Sequence, residues 1–145
     1  MEIADYLGKN ISELLIIKPY INWEFEYFID EDILEPEVNY IFNGHGLIVN
    51  CDIQGCIRTF FLYLDDYGGA EQSLTEIQFS FTREQVLKYF RIAPDKSGDG
   101  FVDPILGEYG GHDRFHFSNR FVHIEYKPKK NEIKMITFMK DNIIS

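Results

Sequence analysis

Leu47-Ile48-Val49-Asn50-Cys51 with Ile57-Arg58-Thr59-Phe60-Phe61-Leu62, and later Val122-His123-Ile124-Glu125-Tyr126 with Ile133-Lys134-Met135-Ile136-Thr137-Phe138, state one pattern twice. Apolar side chains recur at alternate positions, the period of a strand that buries one face. A short turn separates the strands of each pair, Asp52-Ile53-Gln54-Gly55 in the first copy and a turn one residue longer in the second. Outward from these pairs, each copy is preceded by a helix start. Asn10 with Glu13, and Thr82 with Gln85, stand at the spacing at which an N-cap side chain and the third helical side chain bond each other's backbone amides.

The first helix is expected over 2–17, broken at Gly8 and stopped by Pro19; the second is expected over 82–90, with Val86, Leu87 and Phe90 on its apolar face and Pro94 behind it. Further strands are expected at 21–29, where Ile21, Trp23, Phe25 and Tyr27 alternate with Asn22, Glu24 and Glu26, and at 38–42, 47–51 and 57–64. The second half offers a short strand near 76–81, a polar glycine-bearing loop through Gly111, and strands at 113–117, 121–126 and 132–139. The expected fold is α+β: an antiparallel sheet with helices on one face, one domain over 1–145, built as a tandem α-β-β-β repeat of 1–75 and 76–145. That layout resembles the tandem helix-plus-three-strand repeats of the outer-membrane assembly factor BamE and of the β-lactamase inhibitory proteins.

A chain of 145 residues buries about two thirds of the surface its unfolded form exposes, enough for a core without a metal or disulfide staple. Its 16% aromatic content excludes a disordered chain. No apolar run reaches the length of a bilayer-spanning helix, and Met1-Glu2-Ile3-Ala4-Asp5 lacks the basic-then-apolar start of a secretory signal, so a cytoplasmic protein with no membrane partner is expected. Two cysteines are too few for a secreted disulfide scaffold.

The net charge of −10 argues against nucleic acid as a direct partner. The charge is also unevenly spread. Residues 1–80 carry fifteen acidic side chains against Lys9, Lys18 and Arg58, a net of −12, whereas residues 81–145 carry eleven basic and nine acidic side chains, a net of +2. The most acidic stretch, Glu24, Glu26, Asp30, Glu31, Asp32, Glu35 and Glu37, is interleaved with aromatic residues, Trp23 and Tyr27 among them. Such a run is either a solvated face or a docking surface for a basic protein, with carboxylates steering and aromatic anchors holding. We take these seven carboxylates, with Trp23 and Tyr27 as anchors, as the expected partner-binding residues.

Other groupings are weaker. Asp95 to Asp103 imitates the first nine positions of a calcium loop, but Leu106 stands where the bidentate Glu belongs and Pro94 where a helix should enter, so an ordered polar loop is expected. Cys51 and Cys56 flank a turn, with His45 as the only nearby further zinc ligand, and two buried reduced thiols are expected instead of a metal site. His112, Asp113, Arg114 and His116 form the most enzyme-like cluster, the basis of an alternative reading as a small enzyme; no nucleophile or further carboxylate is assigned to it by spacing. The alternative to that alternative is a strand-start cluster in which Asp113 and Arg114 pair with the preceding loop. No cofactor is expected.

Val86 to Pro94 with Ser97-Gly98, then Leu106-Gly107 and Gly110-Gly111-His112-Asp113-Arg114-Phe115, then His123 to Tyr126 and Ile133 to Met139, resemble a pattern in small bacterial immunity proteins that partner secreted polymorphic toxins, of the pyocin and contact-dependent-inhibition kinds. Tyr6-Leu7-Gly8-Lys9 with Ser12-Glu13-Leu14-Leu15 resembles the opening of the pyocin-type immunity proteins. His112 and Arg91 depart from the pattern, where Trp and Gly are commoner. The resemblance implies a non-enzymatic inhibitor that binds and neutralises a cognate toxin domain. The acidic half adds that this toxin is expected to be basic, as a nuclease must be, and that its active site is occluded.

Overall fold

A computed structural model describes residues 2–31 and 34–141. In chain order its elements are α1 (Ile11–Leu15), β1 (Glu26–Asp30), β2 (Glu37–Phe42), β3 (Leu47–Asp52), β4 (Ile57–Tyr63), α2 (Arg83–Phe90), β5 (Lys96–Gly98), β6 (Phe101–Asp103), β7 (Gly107–Tyr109), β8 (His112–His116), β9 (Arg120–Tyr126) and β10 (Ile133–Lys140). Both helix starts are built as their sequences require. Asn10 Oδ1 accepts from the Ser12 amide at 3.0 Å while Glu13 accepts from the Asn10 amide at 3.1 Å. Thr82 Oγ1 accepts from the Gln85 amide at 3.3 Å while Gln85 accepts from the Thr82 amide at 2.9 Å.

Eight strands form one antiparallel sheet in the order β1-β2-β3-β4-β10-β9-β8-β5, and β6 with β7 form a separate ladder. The order reads alike from either end, pairing β1 with β5, β2 with β8, β3 with β9 and β4 with β10 as equivalent strands. The detail follows the same relation. A register shift places Arg58 as the extra residue of β4 opposite β3, and another places Lys134 as the extra residue of β10 opposite β9. The cap residue Asn10 bridges Cys56, just before β4, and the cap residue Thr82 bridges Glu132, just before β10. At the seam Phe61 lies directly opposite Thr137, its own counterpart in the repeat.

The alternation sorts side chains to two faces. Leu47, Val49, Cys51, Ile57, Phe60 and Leu62 point inward, as do Val122, Ile124, Tyr126, Ile133, Ile136 and Phe138, none more than 3% exposed. They form one core with Ile11 and Leu14 of α1 and Val86 of α2. Each such side chain contributes on the order of 1.5–3 kcal/mol by leaving water. The opposite face of the sheet, including Ile48, Phe61, Tyr63, Phe121, Met135 and Met139, takes no part in that core.

The structure corrects several expectations. The span 2–17 holds a 3-10 turn at Ile3–Tyr6 and the five-residue α1, because Gly8 adopts φ +84° between them. Strand pairing begins only at Glu26; Tyr20–Asn22 form a 3-10 turn. No strand forms at 76–81, where the Gln72 side chain replaces a ladder: its amide donates to the Thr75 and Ile77 carbonyls and its oxygen accepts from the Phe79 amide at 2.8 Å. The loop expected between α2 and Gly111 contains β5, β6 and β7.

Candidate functional site

The acidic, aromatic stretch falls on β1, at one edge of the sheet, and on its link to β2. Tyr27, Phe28 and Ile29 are 64%, 51% and 45% exposed, and Leu34 beyond them is fully exposed. Glu24, Glu26, Glu31 and Glu35 are exposed among these apolar groups, and Asp30 is half-buried. Asp32 lies outside the described residues. Glu37 is half-buried in a polar network, accepting from Asn50 Nδ2 at 3.0 Å and lying 3.5 Å from the Arg58 guanidinium. Arg58 also lies 3.8 Å from Glu35, so the bulge in β4 aims a cation at the end of the acidic run.

Trp23 is placed differently from Tyr27. It is half-buried, its ring stacked on His45 at 3.8 Å and met edge-on by Tyr20 and Phe42. It wedges the chain entering β1 against the core, which leaves Tyr27, Phe28 and Ile29 as the solvent-facing apolar groups of β1, with Phe25 and Leu34 exposed on either side. Phe28 belongs to the aromatic residues that interleave the acidic stretch in the sequence; Ile29 escaped notice there because the alternation assigns it to neither face, and a strand at a sheet edge exposes both of its faces where no helix covers it.

The enzyme-like cluster does not converge. In β8, His112, Arg114 and His116 share the face away from the core, while Asp113 points into it and is 1% exposed. Asp113 accepts from Arg83 Nε and Nη2 at 3.0 and 3.1 Å, from Ser97 Oγ at 2.6 Å and from the Tyr126 hydroxyl at 3.0 Å. Burial pushes this carboxyl up, but those bonds and the Arg83 charge outweigh it and hold the pKa below the ordinary carboxylate value. Burial and the Asp113 charge raise the Tyr126 hydroxyl. The cluster pins the first turn of α2 to β5, β8 and β9. Of the pairing expected with the preceding loop, Ser97 holds Asp113 and Asp95 holds Arg114, while Arg83 and Tyr126 are partners of Asp113 that spacing missed.

On the opposite face Arg114 forks onto Asp95 at 2.6 and 3.0 Å and lies over the Phe121 ring. His116 stacks on the same ring and stands 3.9 Å from Asp141. His112 Nδ1 and His123 Nε2 are 3.4 Å apart beside a depression of about 270 Å³ floored by Thr137 and Met139. Burial, then the His112 charge, pushes the His123 imidazole down, which favours its neutral form.

The calcium-like stretch uses its oxygens elsewhere. Asp95 holds Arg114, Ser97 and Asp99 hold Asp113 and Arg83, and Asp103 accepts from the Ile105 and Leu106 amides. Both cysteines are free thiols. Cys51 is buried, with its pKa pushed up to about 12 by burial, and Cys56 is half-buried, with its Sγ 3.4 Å from the Gly8 carbonyl.

No family model and no curated protein matches the chain. Among solved structures, a cysteine-rich secretory protein from Staphylococcus aureus shares the fold, with a TM-score of 0.63 and 12% identity over 99% of this chain and 46% of that one. This chain thus spans less than half the length of that relative, and the likeness concerns the fold alone. Among the described residues no helix is long and apolar enough to cross a membrane.

Proposed function

We propose that this protein is a non-catalytic inhibitor of the immunity type, which binds a basic secreted toxin domain, a nuclease by preference, and occludes its active site in the cytoplasm of the producing cell. The observation that carries the reading is the β1 edge, where Tyr27, Phe28 and Ile29 stand in water among Glu24, Glu26, Glu31 and Glu35. An exposed apolar edge strand is an aggregation hazard unless charge protects it or a partner covers it. Carboxylates at this density do the first and direct the second, since they attract a cationic cleft from a distance and the aromatic groups then exclude water at contact. The rival reading, an enzyme centred on His112, Asp113, Arg114 and His116, requires groups that act together, and Asp113 faces away from the other three.

The test is co-expression with basic nuclease toxin domains, beginning with the product of the reading frame that precedes this one, followed by binding kinetics on the pair that permits growth. Wild-type chain should restore growth. Glu24→Gln, Glu26→Gln, Glu31→Gln and Glu35→Gln together should slow association about tenfold at low salt and flatten its salt dependence. Unchanged association would overturn the placement of the interface, and a turnover abolished by His116→Ala would overturn the function.

A further inference from the structure

The second unit carries an element that the first has no length for. The first unit passes from β1 to β2 through residues 31–36, whereas the second inserts the hairpin β6–β7 between β5 and β8, pairing Phe101 with Tyr109, Val102 with Glu108 and Asp103 with Gly107. None of these residues joins the core. At the tip, Ile105 is 91% exposed and Leu106 72%, with Val102 and Phe101 at 64% and 59% behind them.

The hairpin is nevertheless built to hold its shape. Asp103 Oδ1 accepts from the amides of both Ile105 and Leu106 at 2.8 Å, closing the tip, and Gly107 turns back at φ +99°. The Phe101 and Tyr109 rings stack at 4.8 Å across the ladder. At the base Lys129 pairs with Glu108 at 2.8 Å, and Gly110 lies so close to the Tyr126 carbonyl that no Cβ would fit. Large apolar side chains held in water on a braced scaffold mark a contact surface, and bracing removes the ordering cost that a loose loop incurs on binding.

We propose that β6–β7 is an insertion finger, whose Ile105–Leu106 tip enters an apolar cleft with a cationic rim on a partner protein. Charge selects this occupant. Between Ser97 and Gly111 the chain has no lysine or arginine; of its carboxylates Asp99 and Glu108 are paired at the base with Arg83 and Lys129, whereas the Asp103 carboxylate sits in the tip turn itself, so it must enter with the apolar groups. An anionic bilayer repels that carboxylate and a chain of net charge −10, and a second copy would bring its own acidic β1 edge. A basic protein cleft accommodates both features. The finger rests on the reading of this protein as an inhibitor of a basic toxin, and adds a contact at the sheet end opposite β1.

The test uses the full chain with Ile105→Ser and Leu106→Ser together, against the toxin domain from which wild type protects. Thermal melting should be nearly unchanged, because Ile105 and Leu106 are 91% and 72% exposed and neither belongs to the core. Dissociation should accelerate about 30-fold or more, while association and its salt dependence stay as in wild type. Wild-type binding that the double variant retains in full overturns the finger alone. A wild-type chain that binds no toxin domain overturns the inhibitor reading and the finger together. Retention on phosphatidylserine–phosphatidylcholine vesicles, or dimerisation in sedimentation velocity, lost in the double variant while toxin binding is kept, assigns the tip to a different occupant and also overturns it.

Discussion

Asp113 shows how one residue decides between chemistry and architecture. Its sequence neighbours are two histidines and an arginine, yet the period of a strand turns it away from all three and into the grip of Arg83, Ser97 and Tyr126. An ion pair with one partner 1% exposed is costly to break, since removing the cation leaves a carboxylate without compensation. Arg83→Met should therefore lower stability by about 3–5 kcal/mol at neutral pH. The pH dependence carries a definite sign. In the wild type the folded pKa of Asp113 lies below its unfolded value, so its contribution is complete above about pH 4 and is lost as pH falls through the folded value. Without Arg83 two of the causes that lower this pKa are gone while burial, which raises it, remains, so the variant's carboxyl should protonate at higher pH than the wild type's and the variant should regain relative stability as pH falls. Denaturant unfolding of both proteins at pH 7 and pH 4 checks this: the gap should narrow on acidification, and a gap that widens would refute the assignment.

Elements were legible in the sequence where local and long-range demands agreed. The two capping boxes and β2, β3, β4, β8, β9 and β10 lie within a residue or two of their sequence expectations, because alternation and capping act locally and the core reinforces them. The likeness of the two strand pairs was legible for the same reason, since inward positions must be apolar in both, but an α-β-β-β unit was one strand short: β1–β4 follow α1 in the sheet, and β5, β8, β9 and β10 follow α2. What escaped was determined by side chains reaching across the chain. Gln72 satisfies the backbone around 75–79 and so removes a strand, and the ladder of β6 and β7 closes around an Asp103 turn that resembles an ion-binding motif. For the candidate site, the carboxylates of 24–35 were legible as a charge pattern, but Trp23 was not separable from Tyr27, since both occupy alternate positions and only packing against His45 distinguishes them. The turns around Gly44 and Gly68 add another long-range constraint. The Gly44 and Gly46 amides both donate to the Tyr67 carbonyl, at 2.7 and 2.9 Å, and a Cβ on Gly68, whose φ is +86°, would fall 2.4 Å from Gly44 Cα. Gly68→Ala should thus cost about 2 kcal/mol or more, with the loss visible in the melting temperature. A variant as stable as wild type would show that the two turns can separate without harm to the sheet.

At the scale of the molecule, the two units have unlike surfaces on a shared frame. The first is strongly acidic and presents β1; the second is nearly balanced and presents the hairpin, and the β4–β10 seam joins them. Along that seam Phe60 faces Phe138 and Leu62 faces Ile136, so each unit completes its inward face with side chains from the other. Separate folding would leave the long central edge of either unit unpaired and its apolar row in water. The units should therefore unfold as one. Trp23 is the only tryptophan, and its fluorescence reports on the first unit alone, whereas far-ultraviolet circular dichroism reports on the backbone of both. In denaturant the two signals should share a midpoint, as a cooperative two-state transition requires. The decisive variant lies in the other half. Phe138→Ala removes a large side chain that is 2% exposed, at a cost of about 3–5 kcal/mol for such a change in a packed core. If the seam couples the units, the Trp23 transition moves to lower denaturant by the same amount as the circular dichroism transition, although the substitution lies in the opposite repeat. A Trp23 midpoint that stays in place while the circular dichroism signal splits into two steps would show instead that each repeat carries its own stability.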